Sequence, residues 1–247
     1  MEEGMKVERI NYSVSGLSCR GALVWDETTT AKRPLLLMAP NWLGIIPAAL
    51  DTARMLAGDR YVVFVADMFG EGNAPKGTEN PMEFLAPLMK DAAETRRRIT
   101  AAFETMTREA ERRGTGDLKR RAAIGYCFGG ANVIDLARTG ADVAAVVSMH
   151  GSLATPMPGK RGEITAAVLA VHGAADPIAP KAERDAFEKE MDEAEARWVL
   201  LTFGGVVHAF TDVGVNVPGV AVYDEPATRH GYNLAHGFIA DAFTGKL

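Results

Sequence analysis

Hydrophobic residues along this chain fall into short continuous runs separated by amphipathic stretches. Residues 35–39 and 61–66 are continuously apolar, the pattern of strands buried on both faces of a helix-covered parallel sheet. Between them, residues 48–57 place Leu50, Ala53 and Leu56 at helical spacing. Two earlier segments, 7–14 and 17–25, flank Ser15-Gly16 and predict an antiparallel N-terminal hairpin. Downstream, a helical stretch over 82–113 precedes a strand at 121–126, a helix at 129–138 and a strand at 143–149. A strand at 165–171, a charged helix at 181–194, a strand at 197–203 and a closing helix near 226–243 continue the alternation. Strand and helix in turn predict an α/β fold, a mostly parallel sheet flanked by helices on both faces. No repeat, low-complexity tract or long linker divides the chain, and the loop at 151–162 joins two neighbouring strands. Residues 1–247 therefore read as a single domain.

Composition narrows the class. The chain has 247 residues, 47% hydrophobic and 24% charged, enough to bury a core without disulfides or metals. Its net charge of −5 is mild and its basic residues are spread, so neither nucleic acid nor an anionic membrane is an expected partner. No apolar stretch approaches the roughly 20 residues that span a bilayer. The charged segment 1–10 lacks the apolar core of a signal peptide. The two cysteines, Cys19 and Cys127, have unlike contexts and no metal-ligand spacing. The expectation is a cytoplasmic protein with a reduced thiol and no metal or other cofactor. The pattern carries no signal of oligomeric state.

The candidate chemistry lies just beyond the apolar runs, where such sheets bind ligands. After the strand at 121–126 comes Gly125-Tyr126-Cys127-Phe128-Gly129-Gly130, and then a helix. This is the strand–turn–helix setting of a nucleophile elbow, with cysteine in the nucleophile's place. Gly125 and Gly129 answer the need for small residues beside a strained turn. Asp176 follows the strand at 165–171, in a position that would also suit a turn or helix cap. His208 follows the strand at 197–203, where a lone histidine is more often plain surface. Their order of nucleophile, acid and base is that of α/β-hydrolases, and it makes Cys127, Asp176 and His208 the expected catalytic triad. Backbone amides of Phe128 and Trp42 are the expected oxyanion donors. Asn41, Met68, Phe69, His150 and Phe210 are candidate pocket residues that could equally be core. His150, His172, His230 and His236 are expected to be non-catalytic, His172 as a hydrogen-bonded structural residue, and Cys19 to be structural.

From about Leu35 onward the chain resembles the dienelactone hydrolase family. The matching pieces are Gly125-Tyr126-Cys127-Phe128-Gly129-Gly130, His150-Gly151-Ser152-Leu153, the stretch from His172 through Asp176 to Pro180, and His208-Ala209-Phe210. Asp67-Met68-Phe69-Gly70-Glu71-Gly72 and Tyr223-Asp224-Glu225 match as well. The resemblance implies a cofactor-independent Cys-Asp-His hydrolase of small esters or lactones. Two positions depart from the family's best-known members. Asn41 stands where they carry a glutamate, and a neutral amide cannot take the thiol proton. Thr211-Asp212 stands where they place an arginine for the dienelactone carboxylate, so dienelactone itself is not the expected substrate. A glutaminase-like amidase would need a carboxylate two residues after His208, where Phe210 stands. A thiol redox sensor or a binding module on the same fold is the alternative from another class.

Overall fold

The computed structural model describes residues 4–58, 60–77 and 79–247; the first three residues of the charged segment 1–10 lie outside them. The chain divides into two compact units, Met1–Ala123 and Ile124–Leu247.

In the first unit, β1 (Met5–Val14) and β2 (Leu17–Asp26) form the expected hairpin, with register running from Met5↔Asp26 to Val14↔Leu17. Ser15 and Gly16 both have positive φ, 49° and 84°, as a two-residue turn matched to strand twist requires. β3 (Arg33–Ala39) pairs in parallel with β4 (Val62–Val65), and β4 pairs antiparallel with β2. The order here is β1-β2-β4-β3-β5, where β5 (Gly116–Tyr126) runs on into the second unit. Every residue of β4 is buried, as its unbroken apolar run predicts. Pro47 opens helix α1 (Pro47–Ala57) at a position where its missing N–H is no loss.

The helical stretch expected at 82–113 is two helices, α2 (Pro81–Lys90) and α3 (Ala92–Arg113). Asp91 makes the break: its carboxylate accepts the backbone N–H of Glu94 at 2.9 Å and caps α3. Hydrophobic periodicity continues across both helices, so the break shows only in the capping residue.

In the second unit the order is β5-β6-β7-β8. β6 (Ala145–Met149), β7 (Ala167–Gly173) and β8 (Arg197–Phe203) pair in parallel. β7 is buried at every position, whereas β8 alternates, as an edge strand does. Helices α4 (Phe128–Arg138), α5 (Lys181–Glu193) and α6 (Glu225–Phe243) complete the unit. Buried Arg138 on α4 donates to Glu190 of α5 at 2.7 and 2.8 Å, and to the carbonyl of Leu153 at 3.0 Å. Glu190 also accepts Gly159 N–H at 2.8 Å. These bonds tie the 151–162 loop to both helices. A short hairpin of β9 (Asn216–Val217) and β10 (Ala221–Val222) was not foreseen. Among the described residues, no helix is long and apolar enough to cross a membrane.

Candidate active site

Cys127 stands between the last residue of β5 and the first of α4. Its φ of 51° and ψ of −118° are strained for a residue with a Cβ. Backbone bonds on both sides enforce them. Cys127 N–H donates to the Met149 carbonyl at 3.0 Å, while its own carbonyl accepts Gly130 N–H at 2.9 Å and Ala131 N–H at 3.3 Å. A Cβ on Gly125 would lie 2.1 Å from the Gly129 carbonyl oxygen, so strand and helix can meet here only at glycine. Gly130 is a second such position, because a Cβ there would reach Ser148 Oγ at 2.6 Å. The sulfur thus sits at the N-terminus of α4, where the helix dipole favours developing negative charge. Cys127 is partly exposed; Cys19 is buried.

The backbone after β7 turns back so that Ala174 N–H donates to Phe203 O and Ala175 N–H to Val206 O. Asp176, 3% exposed, is set there and accepts Ile178 N–H at 2.8 Å through Oδ1. Its Oδ2 lies 2.8 Å from Nδ1 of His208. His208 is fixed by the unforeseen hairpin: its N–H donates to Val220 O at 3.1 Å and its carbonyl accepts Val222 N–H at 3.0 Å. No hydrogen bond of ordinary geometry reaches Nε2 of His208. The Cys127 thiol nonetheless lies close enough to raise the proton affinity of the ring.

Burial by itself would lower the His208 pKa, but Asp176 and Cys127 outweigh it and push it up to about 10. Burial likewise opposes the Asp176 carboxylate, yet the His208 ring and two backbone amides hold it below its usual 3.8. The sign of each contribution follows by linkage. His208 stabilises the fold fully below its unfolded value near 6.5, and that contribution is lost as pH rises through about 10. Asp176 contributes above 3.8 and loses it as pH falls. In Asp176→Asn the amide no longer supports the imidazolium. The His208 titration, followed by NMR of labelled histidine, is expected to fall below 6.5. The gap in thermal stability from the parent protein is expected to narrow between pH 7 and 10. A titration left near 10 would show that Asp176 does not govern the ring.

The structure brings His150 and Phe210 up to this group. The His150 ring meets His208 edge to face at 5.1 Å and Phe210 at 5.0 Å. Both His150 and Phe210 are fully buried, so they form the wall behind His208 rather than an open lining. His172 differs from expectation. It lies inside β7, is fully buried, and neither ring nitrogen has a hydrogen-bond partner; burial drives its pKa down to about 4. His230 and His236 lie on α6.

Asn41, Trp42, Met68 and Phe69 lie in the first unit, on the loops after β3 and β4. Asn41 Oδ1 accepts Leu43 N–H at 3.0 Å, a local turn that shapes its own loop. Met68 and Phe69 are buried, and Asp67 Oδ1 holds their loop through the amides of Phe69 and Gly70. Sequence reasoning missed β9–β10, although Pro218-Gly219 carries a turn signal. It also missed Glu183, whose Oε1 accepts Ser152 Oγ–H at 2.9 Å and Ala154 N–H at 3.0 Å, pinning the strand exit after β6. Among the described residues, no group of three or more histidine, cysteine or acidic side chains is placed to hold a metal.

Comparison with known proteins finds the model of the dienelactone hydrolase family matching residues 21–243. The structure is similar to that of a dienelactone hydrolase-like promiscuous phosphotriesterase from metagenomic libraries, with a TM-score of 0.88 and 31% identity, covering 97% of this chain and 99% of that one. A putative dienelactone hydrolase from Klebsiella pneumoniae shares the fold, with a TM-score of 0.79 at 17% identity over 96% of this chain and 98% of that one. A Caenorhabditis elegans protein is 34% identical over 133 residues, 51% of this chain and 83% of its own.

Proposed function

The chain belongs to the dienelactone hydrolase family, and from that premise we propose that it hydrolyses a small ester or lactone through Cys127, His208 and Asp176. The observation that carries this is the 2.8 Å bond between Asp176 and His208, on a ring whose proton affinity Cys127 also raises. Both neighbours favour the imidazolium, so the proton leaving the sulfur has a place to go without the glutamate that Asn41 replaces. The Cys127 sulfur attacks the carbonyl carbon, and the carbonyl π electrons move to oxygen. The Phe128 amide, at the start of α4, is suited to donate to that oxyanion. As the tetrahedral intermediate collapses, the C–O bond breaks and His208 returns the proton to the leaving alkoxide, which departs as the alcohol. His208 then takes a proton from water, whose oxygen attacks the thioester. That tetrahedral intermediate collapses with the C–S bond breaking, the carboxylic acid leaves, and His208 returns its proton to the sulfur.

Esters are favoured over amides, because the thiolate leaves a tetrahedral intermediate more readily than an amine does. Asp212 supplies an acidic side chain on the segment after His208, which supports an uncharged or cationic substrate over the dienelactone carboxylate. The family match runs through both compact units, which supports one hydrolase domain over 1–247. A catalytic thiol also fits a reducing compartment such as the cytoplasm. Rapid-quench intact mass spectrometry during turnover of an aryl acetate tests the proposal. An acetyl adduct on Cys127, removed by hydroxylamine, is expected; turnover with no adduct at Cys127 would overturn it.

A further inference from the structure

His150 is buried, titratable and unused by the mechanism above. It directly follows β6 at a φ of 43°, unusual for a residue with a side chain, and its N–H donates to Val171 O at 2.8 Å. This backbone bond presses the imidazole into the space beside His208 and Phe210. Its Nε2 lies 2.7 Å from Thr211 Oγ1. Thr211 Oγ1 also lies 3.3 Å from Asp212 Oδ1. Either neutral tautomer of His150 makes the Thr211 bond, donating from Nε2 or accepting the hydroxyl proton there. Nδ1 is left buried without a partner. A doubly protonated ring would be a buried cation with Nδ1 unpartnered, and burial holds its proton affinity well below the usual value, so the ring stays neutral.

We propose that His150 is a positioning residue for His208: a neutral imidazole, clamped by Thr211, whose ring holds the His208 ring in line with Asp176. This rests on the Cys-His-Asp reading of the site. Edge-to-face packing gives the catalytic ring one preferred orientation, and the Thr211 bond stops the supporting ring from turning. Neutrality matters equally, since a cation 5.1 Å away would oppose the imidazolium on His208. The ionisable groups acting on His150 include His208 and His172, while Tyr126 of β5 packs on it at 6.4 Å. Asp212 reaches it through Thr211.

The test compares His150→Ala, His150→Phe and Thr211→Val in the full chain. Each is followed by kcat and KM on an aryl acetate and by NMR titration of His208. In His150→Ala, kcat is expected to fall about 10- to 100-fold, the scale of a small misplacement of a reacting group, with KM nearly unchanged. The His208 titration should drop below about 10. His150→Phe keeps the ring and should restore most of both. Should His150→Ala not fold, Thr211→Val, nearly equal in volume, is expected to lower kcat about threefold on the same misplacement scale and to loosen the His208 titration. An unchanged titration and kcat in folded His150→Ala, or no recovery in folded His150→Phe, would overturn the proposal. If neither alanine nor phenylalanine folds, an unchanged Thr211→Val overturns it. The titration needs no turnover, so failure here is distinct from failure of the mechanism, which the Cys127 adduct reads separately.

Discussion

Cys127→Ala is expected to lower kcat/KM for a small activated ester by about 10⁴- to 10⁶-fold, the loss typical when a covalent nucleophile is removed. The fold should be unaffected. Alanine carries the same Cβ into the φ of 51°, so the backbone strain is the same. The Met149 and Gly130 bonds that hold the turn involve only main chain at this position. Thermal denaturation should therefore nearly superimpose on the parent while activity vanishes. That contrast separates a nucleophile from a structural cysteine, whose removal would do the reverse. Cys19→Ala is the matching control: it removes a buried thiol in the first unit and should leave kcat intact. Undiminished turnover in Cys127→Ala would end the covalent mechanism.

Gly125→Ala is expected to be the more damaging change to the protein itself. The added methyl would lie 2.1 Å from the Gly129 carbonyl oxygen and 2.8 Å from Gly130 N. Neither is a flexible side chain, so the first turn of α4 must move as a unit. Overpacking of a tight interior typically costs about 1–3 kcal/mol, and a backbone-on-backbone clash belongs at or beyond the upper end. Urea denaturation should show a clear fall in midpoint. Any protein that does fold should be inactive, because moving the turn displaces the sulfur from His208. A variant with parent-like midpoint and activity would mean that β5 and α4 can separate more easily than their contact implies.

Much of this was legible beforehand because buried parallel strands leave so plain a mark. Continuous apolar runs placed β3, β4 and β7 within two residues of their ends, and the candidate residues Asp176 and His208 lie on the loops a few residues beyond β7 and β8. The Asp176–His208 contact could be anticipated because each residue sits on the exit of its own strand. What escaped depends on single side chains or on weak local signals. Asp91 divides one hydrophobic pattern into two helices without disturbing its period. β9 and β10 are two residues each, too short for alternation to register. The role of Gly130 depends on how close Ser148 comes, a distance between segments that no local pattern encodes. The sequence places His172 beside a loop where a hydrogen-bond partner is expected, but strand burial closes around it and leaves both ring nitrogens without one.

The stitching of His208 to residues 220 and 222 has a consequence for how this site can diversify. Both main-chain groups of His208 are occupied by that one strand segment. The intervening segment 211–219 carries β9 and is tied at its base, with the stretch around Val213, 82% exposed, as its open tip. Lengthening or rewriting that tip need not move the imidazole. Insertion or drift can thus accumulate there while the Asp176–His208 contact below is inherited unchanged.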